Sequence, residues 1–401
     1  MRLLIYGGSF NPPHRGHVYA LRQAAEVLSP DRILVIPAGI PPHKILADGS
    51  PDPDTRLELC RLAFSAVPGA EVSDLELRRE GKSYTVDTLR EIRGREPEAE
   101  IFFQVGTDML LSMENWFEFR EIFSLCDLAA LPRNEGDLPV LREVIARFQR
   151  QYGETVRLIP RLPLPMDSTS LRALLPERGG RDRLDEKVYA YIIRRRLYGA
   201  KPELAWLREQ VKPFLKPKRY LHTLGCEQEA AALARRWGAA EDDASEAALL
   251  HDITKRLSAE EQLRLCGEYG ILLDDVEKET PELLHARTGA YLARERFGVP
   301  EEIFQAISSH TTGRPGMSLL EKIIWLADTI EPTRDYPGVE KLRSLAMEDL
   351  DLALIEALRR SLELIKSRGH VCHPRTAATL DWLLDNKNGT NRKDEENADF
   401  L

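Results

Sequence analysis

Along the first half of the chain the apolar positions fall into two alternating kinds of run. Arg2 to Tyr6, Arg32 to Pro37, Ile101 to Val105, Leu125 to Leu131 and Val156 to Pro160 are short and apolar, Arg32 to Pro37 also β-branched, which predicts strands. Val18 to Leu28 instead carries apolar residues at helical spacing, and Asp185 to Arg196 is expected to be helical too. Strands alternating with helices predict an α/β fold with a parallel sheet. Beyond the turn signal Gly199 to Pro202 the strand pattern disappears. Helical periodicity takes over at Glu203 to Val211, Leu221 to Trp237, Ala244 to Leu250, Ala259 to Glu268, Leu283 to Phe297, Glu301 to Ser309 and Leu319 to Ile330. This half is expected to be all-α, and the lack of a fixed repeat period argues against a solenoid. The pattern divides the chain into a domain at 1–198, a linker at 199–202 and a second domain at 203–385. The polar, Asn-, Lys- and Glu-rich end, 386–401, is expected to be a disordered tail.

Length agrees with two domains, since 401 residues exceed what one ordinary core holds. A hydrophobic content of 43% with 30% charged residues is that of a globular protein. The net charge of −9, with no basic run interleaved with aromatics, argues against nucleic acid as a partner. No apolar run is long enough for a bilayer and the amino terminus enters a strand directly, so no membrane partner and a cytoplasmic location are expected. The five cysteines form no Cys-x-x-Cys pair and are expected to be reduced thiols. Association into a homo-oligomer is left open by the sequence.

Chemistry enters with Gly7-Gly8-Ser9-Phe10-Asn11-Pro12-Pro13-His14-Arg15-Gly16-His17, which lies between the first strand and the first helix. A glycine-rich strand-to-helix junction suits phosphate, because the backbone can approach closely and the helix start offers free N–H groups. His14 and His17 sit near that start and could each donate a hydrogen bond to a phosphate oxygen. Gly39 to Lys44 follows the second strand and brings Lys44 to the same sheet edge. Ser83 to Leu89 opens a helix, Gly106-Thr107-Asp108 closes the strand at Ile101 to Val105, and Trp116 follows. In Met166 to Arg172, Ser168 and Thr169 are good helix caps and Arg172 can still reach an anion at the helix start.

The opening run resembles the signature of a nucleotidyltransferase superfamily. Tyr84, Thr85, Gly106, Asp108 and Trp116 resemble the acceptor-side signature of bacterial nicotinate-nucleotide adenylyltransferases, over roughly residues 1–196. The resemblance implies a Rossmann-like domain that transfers AMP from ATP to nicotinate mononucleotide, giving deamido-NAD and pyrophosphate. It implies His14, His17, Lys44 and Arg172 as charge-stabilising groups, Gly7, Gly8, Ser9, Phe10, Ser168 and Thr169 as nucleotide contacts, and Mg²⁺ arriving with ATP. Asp167 departs from the pattern, where a serine is usual, and a carboxylate there must point away from the triphosphate or meet the magnesium. Another phosphorylated acceptor, such as phosphopantetheine, is the alternative.

In the second half the histidines carry the chemistry. His222, the pair His251-Asp252, His285, His310 and Asp328 offer enough imidazole and carboxylate donors for two metal ions, of a kind that suits iron, manganese or zinc. His370 and His373 lie outside this set and read as surface or packing residues. The strings Leu-Leu-His-Asp-Ile-Thr-Lys, Ser-His-Thr-Thr-Gly and Ala-Asp-Thr-Ile-Glu-Pro resemble the HD superfamily of phosphohydrolases, close to the sub-group that cleaves diadenosine tetraphosphate symmetrically into two ADP. That resemblance implies two divalent ions, iron first and manganese second, on His222, His251, Asp252, His285, His310 and Asp328. It also makes Asp252 catalytic, puts Lys255 and Arg334 on the polyphosphate and lines the pocket with Thr311, Thr312 and Gly313. A metal- and nucleotide-sensing module without turnover, or a different phosphoester, is the alternative.

Overall fold

The computed structural model describes residues 1–40 and 46–398, with side chains through 387. Lys44 therefore lies outside the described residues. The chain divides into two compact units, Met1–Lys201 and Pro202–Leu401.

The first unit is a six-stranded parallel sheet of order β3-β2-β1-β4-β5-β6. Its strands are β1 Arg2–Gly8, β2 Arg32–Pro37, β3 Ala70–Val72, β4 Glu100–Gly106, β5 Asp127–Leu131 and β6 Val156–Leu158. Central strands covered on both faces read as continuous apolar runs, and Leu3 to Ile5 and Ile101 to Val105 are buried throughout. The strand order reverses between β1 and β4, so their carboxyl ends, at Gly8 and Gly106, open a crevice for a ligand.

Two elements had no clear sequence signal. β3 has only three residues, too few for an alternation, and the helix Asp137–Tyr152 starts on Gly136 without a side-chain cap. The helix Pro53–Phe64 did carry start signals, a proline at its first position and Asp52 accepting the Thr55 N–H.

In the second unit the helix Glu241–Leu250 is buried on every side from Ala244 to Leu250, which its Ala-rich sequence without a polar stripe permits. Pro217–Trp237, Glu301–Ser309 and Leu319–Ile330 pack around it. Ser318 accepts the Glu321 N–H and Ser258 the Glu261 N–H, starting their helices as reciprocal caps. Val339–Glu348 and Leu350–Ser367 are further helices that the sequence reading left out.

The last helix, Pro374–Ala398, runs on through most of the stretch expected to be a disordered tail. Its first turns are packed, with Thr379 buried and Lys387 paired to Asp349, and extending an existing helix is far easier than starting one. Among the described residues no helix is long and apolar enough to cross a membrane.

Candidate active sites

At the switch point of the sheet is a cleft of about 550 Å³. His14 caps the helix Arg15–Leu28, and its backbone N–H donates to His17 Nδ1 at 3.1 Å. That bond leaves the proton of a neutral His17 on Nε2. The two rings lie 3.7 Å apart between centroids, and both border the cleft. Burial lowers the His14 imidazole to about 4, so in the free protein it is neutral at pH 7. In that state it offers hydrogen bonds rather than charge, and its buried Nδ1 has no partner among the described residues.

The glycines of the opening run have a packing role besides. A Cβ on Gly8 would meet the Phe10 ring at 3.0 Å, and one on Gly7 would face Phe103 at 3.5 Å. Phe10 has a left-handed backbone and its buried ring packs edge-on against Tyr6, Phe64 and His17. Thus Gly8 makes room for an aromatic plug beneath the loop as well as exposing backbone beside the cleft with Ser9.

The helix Ser168–Leu174 docks directly on this loop. Ser168 Oγ donates to the Pro12 carbonyl at 2.9 Å and Arg172 Nη1 to the Asn11 carbonyl at 2.6 Å. Thr169 Oγ1 accepts from Arg172 Nη2 at 3.2 Å, so the arginine is braced at the cleft wall. Asp167 is turned into its own helix, where its carboxylate accepts the Thr169 and Ser170 N–H groups. The Ser170 hydroxyl bond and these amides hold it below the usual carboxylate range.

On the opposite wall Tyr84 caps the helix Thr85–Arg95, and Trp116 donates to Ser112 Oγ at 3.3 Å. Phe117, half exposed, lies 4.9 Å from the Tyr84 ring, so the wall is more aromatic than Trp116 alone suggested. Gly106 ends β4, and Asp108 is ion-paired with Arg133. Arg133 also borders the cleft and was missed, although it follows the carboxyl end of β5, where such residues are to be sought.

In the second unit the four histidines converge. His251 and Asp252 follow the buried helix Glu241–Leu250, while His222, His285 and Asp328 lie within helices and His310 ends one. Each imidazole has its Nδ1 engaged behind it. His251 bonds the Ala248 carbonyl at 2.6 Å, His285 that of Glu282 at 2.6 Å, His310 that of Ile307 at 2.7 Å and His222 the Glu331 carboxylate at 3.0 Å. Four Nε2 lone pairs are thereby directed at one another's neighbourhood.

Asp252 divides them into two sets. Its Oδ2 lies 3.4 Å from His251 Nε2 and 3.8 Å from His222 Nε2, and its Oδ1 lies 3.2 Å from His285 Nε2 and 3.8 Å from His310 Nε2. Asp328 Oδ1 joins the first set, 3.0 Å from His222 Nε2. Against a burial penalty that would raise it, the His251 and His285 imidazoles hold the Asp252 carboxyl well below its ordinary range.

The donor set fits divalent metal. His251 Nε2 and Asp252 Oδ2 are buried with no hydrogen-bond partner among the described residues, a costly arrangement unless an ion satisfies them. Arg219, absent from the sequence reading, approaches Asp252 Oδ2 at 3.0 Å as an ion pair, off the hydrogen-bond direction. Lys255 Nζ is 3.2 Å from His285 and Arg334 bonds Asp328 at 2.8 Å, so three cations ring the site. Thr312 is buried and Thr311 half-buried beside His310, whereas Gly313 faces Thr379 rather than the metal donors. His373 is buried and bonded to Asp274, as a packing residue would be.

Fold and sites together define a nucleotidyltransferase-like domain followed by a metal-binding HD domain. A cytidylyltransferase-like family model matches residues 5–172 and an HD domain model residues 219–333. A symmetrical bis(5'-nucleosyl)-tetraphosphatase of Halalkalibacterium halodurans is 45% identical over 43% of this chain and 93% of its own. A Geobacter metallireducens protein named "Probable nicotinate-nucleotide adenylyltransferase" is 35% identical over 49% of this chain and 98% of its own. A Mycoplasma pneumoniae protein that bears both names, "Probable nicotinate-nucleotide adenylyltransferase/Ap4A hydrolase", is 26% identical over 90% of this chain and 99% of its own. The chain belongs to the nicotinate-nucleotide adenylyltransferase family through its first half and to the symmetrical bis(5'-nucleosyl)-tetraphosphatase family through its second.

Proposed function

We propose that this chain is a bifunctional nucleotide enzyme that makes deamido-NAD in its first unit and cleaves diadenosine tetraphosphate into two ADP in its second. The convergence of four imidazole Nε2 atoms on the two oxygens of Asp252 is the observation that carries the hydrolase. The switch-point cleft, with phosphate-binding groups on one wall and aromatic rings on the other, supports the transferase.

In the transferase reaction a phosphate oxygen of nicotinate mononucleotide attacks the α-phosphorus of ATP; the new P–O bond replaces the one to pyrophosphate, which leaves. Alignment and charge stabilisation suffice for such a transfer. His17, donating from Nε2, and His14 hold phosphate oxygens, and Arg172 and Arg133 face the same anion. Lys44 is proposed as a further cation, and Mg²⁺ as travelling with the ATP. Trp116, Phe117 and Tyr84 clamp the pyridine ring, with the Thr85 helix start open to its carboxylate.

In the hydrolase His222, His251, Asp252 and Asp328 would hold one divalent ion and Asp252, His285 and His310 the other. Bound there, such ions supply Lewis acidity and an activated water. Imidazole with carboxylate suits iron, manganese or zinc, and the likeness to the HD phosphohydrolases puts iron first and manganese second. Asp252 spans both positions, and Arg219, Lys255 and Arg334 bind and orient the polyphosphate around them.

The test uses the full chain, metal-analysed and loaded anaerobically with iron. ADP as sole product from diadenosine tetraphosphate, and deamido-NAD from ATP and nicotinate mononucleotide, are the expected results. Use of the nicotinamide form equally well or better contradicts the acceptor assignment, and no cleavage with metal bound contradicts the hydrolase.

A further inference from the structure

Arg56, in the helix Pro53–Phe64, is 1% exposed, and its guanidinium forms no ion pair with a carboxylate among the described residues. An arginine remains protonated in proteins, so a full positive charge is buried with no carboxylate in ion-pair contact, Asp52 acting on it only through space. Such a charge is costly and persists only where something gains from it. What surrounds it is main chain: Nη1 donates to the Ala38 carbonyl at 2.7 Å and to that of Ser9 at 3.4 Å, and Nη2 to that of Gly39 at 3.3 Å. Ser9 belongs to the loop after β1 and Ala38 and Gly39 to the loop after β2. Arg56 therefore ties together the two loops at the carboxyl ends of neighbouring strands, and Ser9 and Ala38 border the cleft.

The carbonyl and N–H of a trans peptide point in opposite directions. With three carbonyls drawn inward to Arg56, the N–H ends of the same peptide units, on Phe10, Gly39 and Ile40, turn away from it. Gly39 uses its amide on the carboxyl of Glu76, itself on the cleft wall. A cation at the carbonyl end of a peptide polarises the unit and strengthens its N–H as a donor.

We propose that Arg56 is a positioning residue for the nucleotide polyphosphate: buried beneath the cleft, it fixes the loops after β1 and β2 and supplies a charge without an ion-pair partner that is neutralised when the anion binds. This rests on the reading of the cleft as an ATP site. The class of ligand follows from the sign and position of the charge, since a carboxylate partner inside the protein would have cancelled it. The polyphosphate is thus the group whose binding Arg56 controls, and the pyridine nucleotide at the aromatic wall is largely indifferent to it.

Steady-state kinetics of full-length R56K and R56M, in the forward direction and in reverse with pyrophosphate as substrate, test this. R56M is expected to raise KM for ATP and for pyrophosphate by about tenfold or more, in line with the loss of charge-assisted hydrogen bonds, and to leave KM for nicotinate mononucleotide unchanged. R56K keeps the charge and should recover part of the loss, and it carries the test if R56M does not fold. Unchanged KM values for ATP and pyrophosphate, or an equal rise for every substrate with a lowered Tm, overturns the proposal and marks Arg56 as structural. If the wild-type chain forms no deamido-NAD from ATP, the ATP-site reading fails and the proposal falls with it.

Discussion

In the first unit the groups that face the cleft are held by main-chain atoms at the ends of strands: Arg172 on the Asn11 carbonyl, Ser168 on that of Pro12, His17 on the N–H of His14. In the second, four imidazoles from different helices converge upon one buried carboxylate, Asp252. The first arrangement leaves an open cleft that a large anion can enter, and its histidines need no partner ion to be stable, as the neutral His14 illustrates. The second leaves buried lone pairs that only a cation satisfies. The groups of the first site are thus held in place without an ion, whereas those of the second call for a metal. Variants in one unit should therefore separate the two activities cleanly.

The largest separation is expected from Asp252→Asn. It removes the charge between the two donor sets, so metal content should fall and diadenosine tetraphosphate cleavage should drop below detection, with deamido-NAD formation unchanged. Metal analysis beside both assays checks it. Retained metal and retained cleavage would break the idea that Asp252 joins the two sets.

His17→Ala is the reverse experiment. Losing one positioned donor to a phosphoryl oxygen should lower kcat of adenylyl transfer by about a hundredfold to a thousandfold, with hydrolysis intact. A change confined to Tm would mean that His17 serves only to cap the helix Arg15–Leu28.

The comparison can be sharpened within the metal site itself. Three of the four imidazoles rest on carbonyls three residues earlier in sequence, whereas His222 alone is backed by a carboxylate, that of Glu331. Glu331 is fully buried and is fixed by the Thr333 N–H and hydroxyl, each at 2.6 Å. Gly225 leaves it room, since a Cβ there would meet its Oε2 at 2.4 Å. A charged acceptor fixes the His222 ring and supports its hold on a cation, so Glu331→Gln should weaken retention of the ion on the His222 side by about tenfold to a hundredfold. Chelator competition, following the two ions separately, measures this; equal weakening of both would contradict the assignment of His222 to one set.

How much of this was legible in the sequence follows the same division. The opening run is contiguous, so its place between strand and helix could be read directly, and the register of β1 beside β2 and β4 bears out the parallel sheet. The ligand histidines were legible one by one because little else in the helical half carries an imidazole. Their partition by Asp252 was not, because it depends on which oxygen faces which helix. Glu331 and Arg219 were missed although each lies three residues from a named ligand, Asp328 or His222, a spacing that puts two side chains on one side of a helix. Arg56 had no such signal, since what distinguishes it is burial without a carboxylate in ion-pair contact. The helix Pro374–Ala398 takes in most of the polar end of the chain, and composition says nothing about the packed turns that precede it.

The smallest effect at neutral pH concerns His14. Burial depresses its imidazole to about 4 in the folded protein, against 6.5 as its ordinary value. Between these values the unfolded chain binds a proton that the folded one does not. The stability from keeping His14 neutral is therefore fully present above pH 6.5 and is lost as pH falls toward 4. The loss should reach about 3 kcal/mol at the acid end and vanish at pH 7.5. His14→Asn, which keeps a polar cap without the titration, should flatten the acid limb of the first unit's Tm against pH, with no change on the alkaline side. An acid limb equally steep in His14→Asn would assign the pH dependence to other groups. ATP should act in the opposite sense, because an anion beside His14 favours its protonated form, so the acid limb measured with saturating ATP should be shallower than without it.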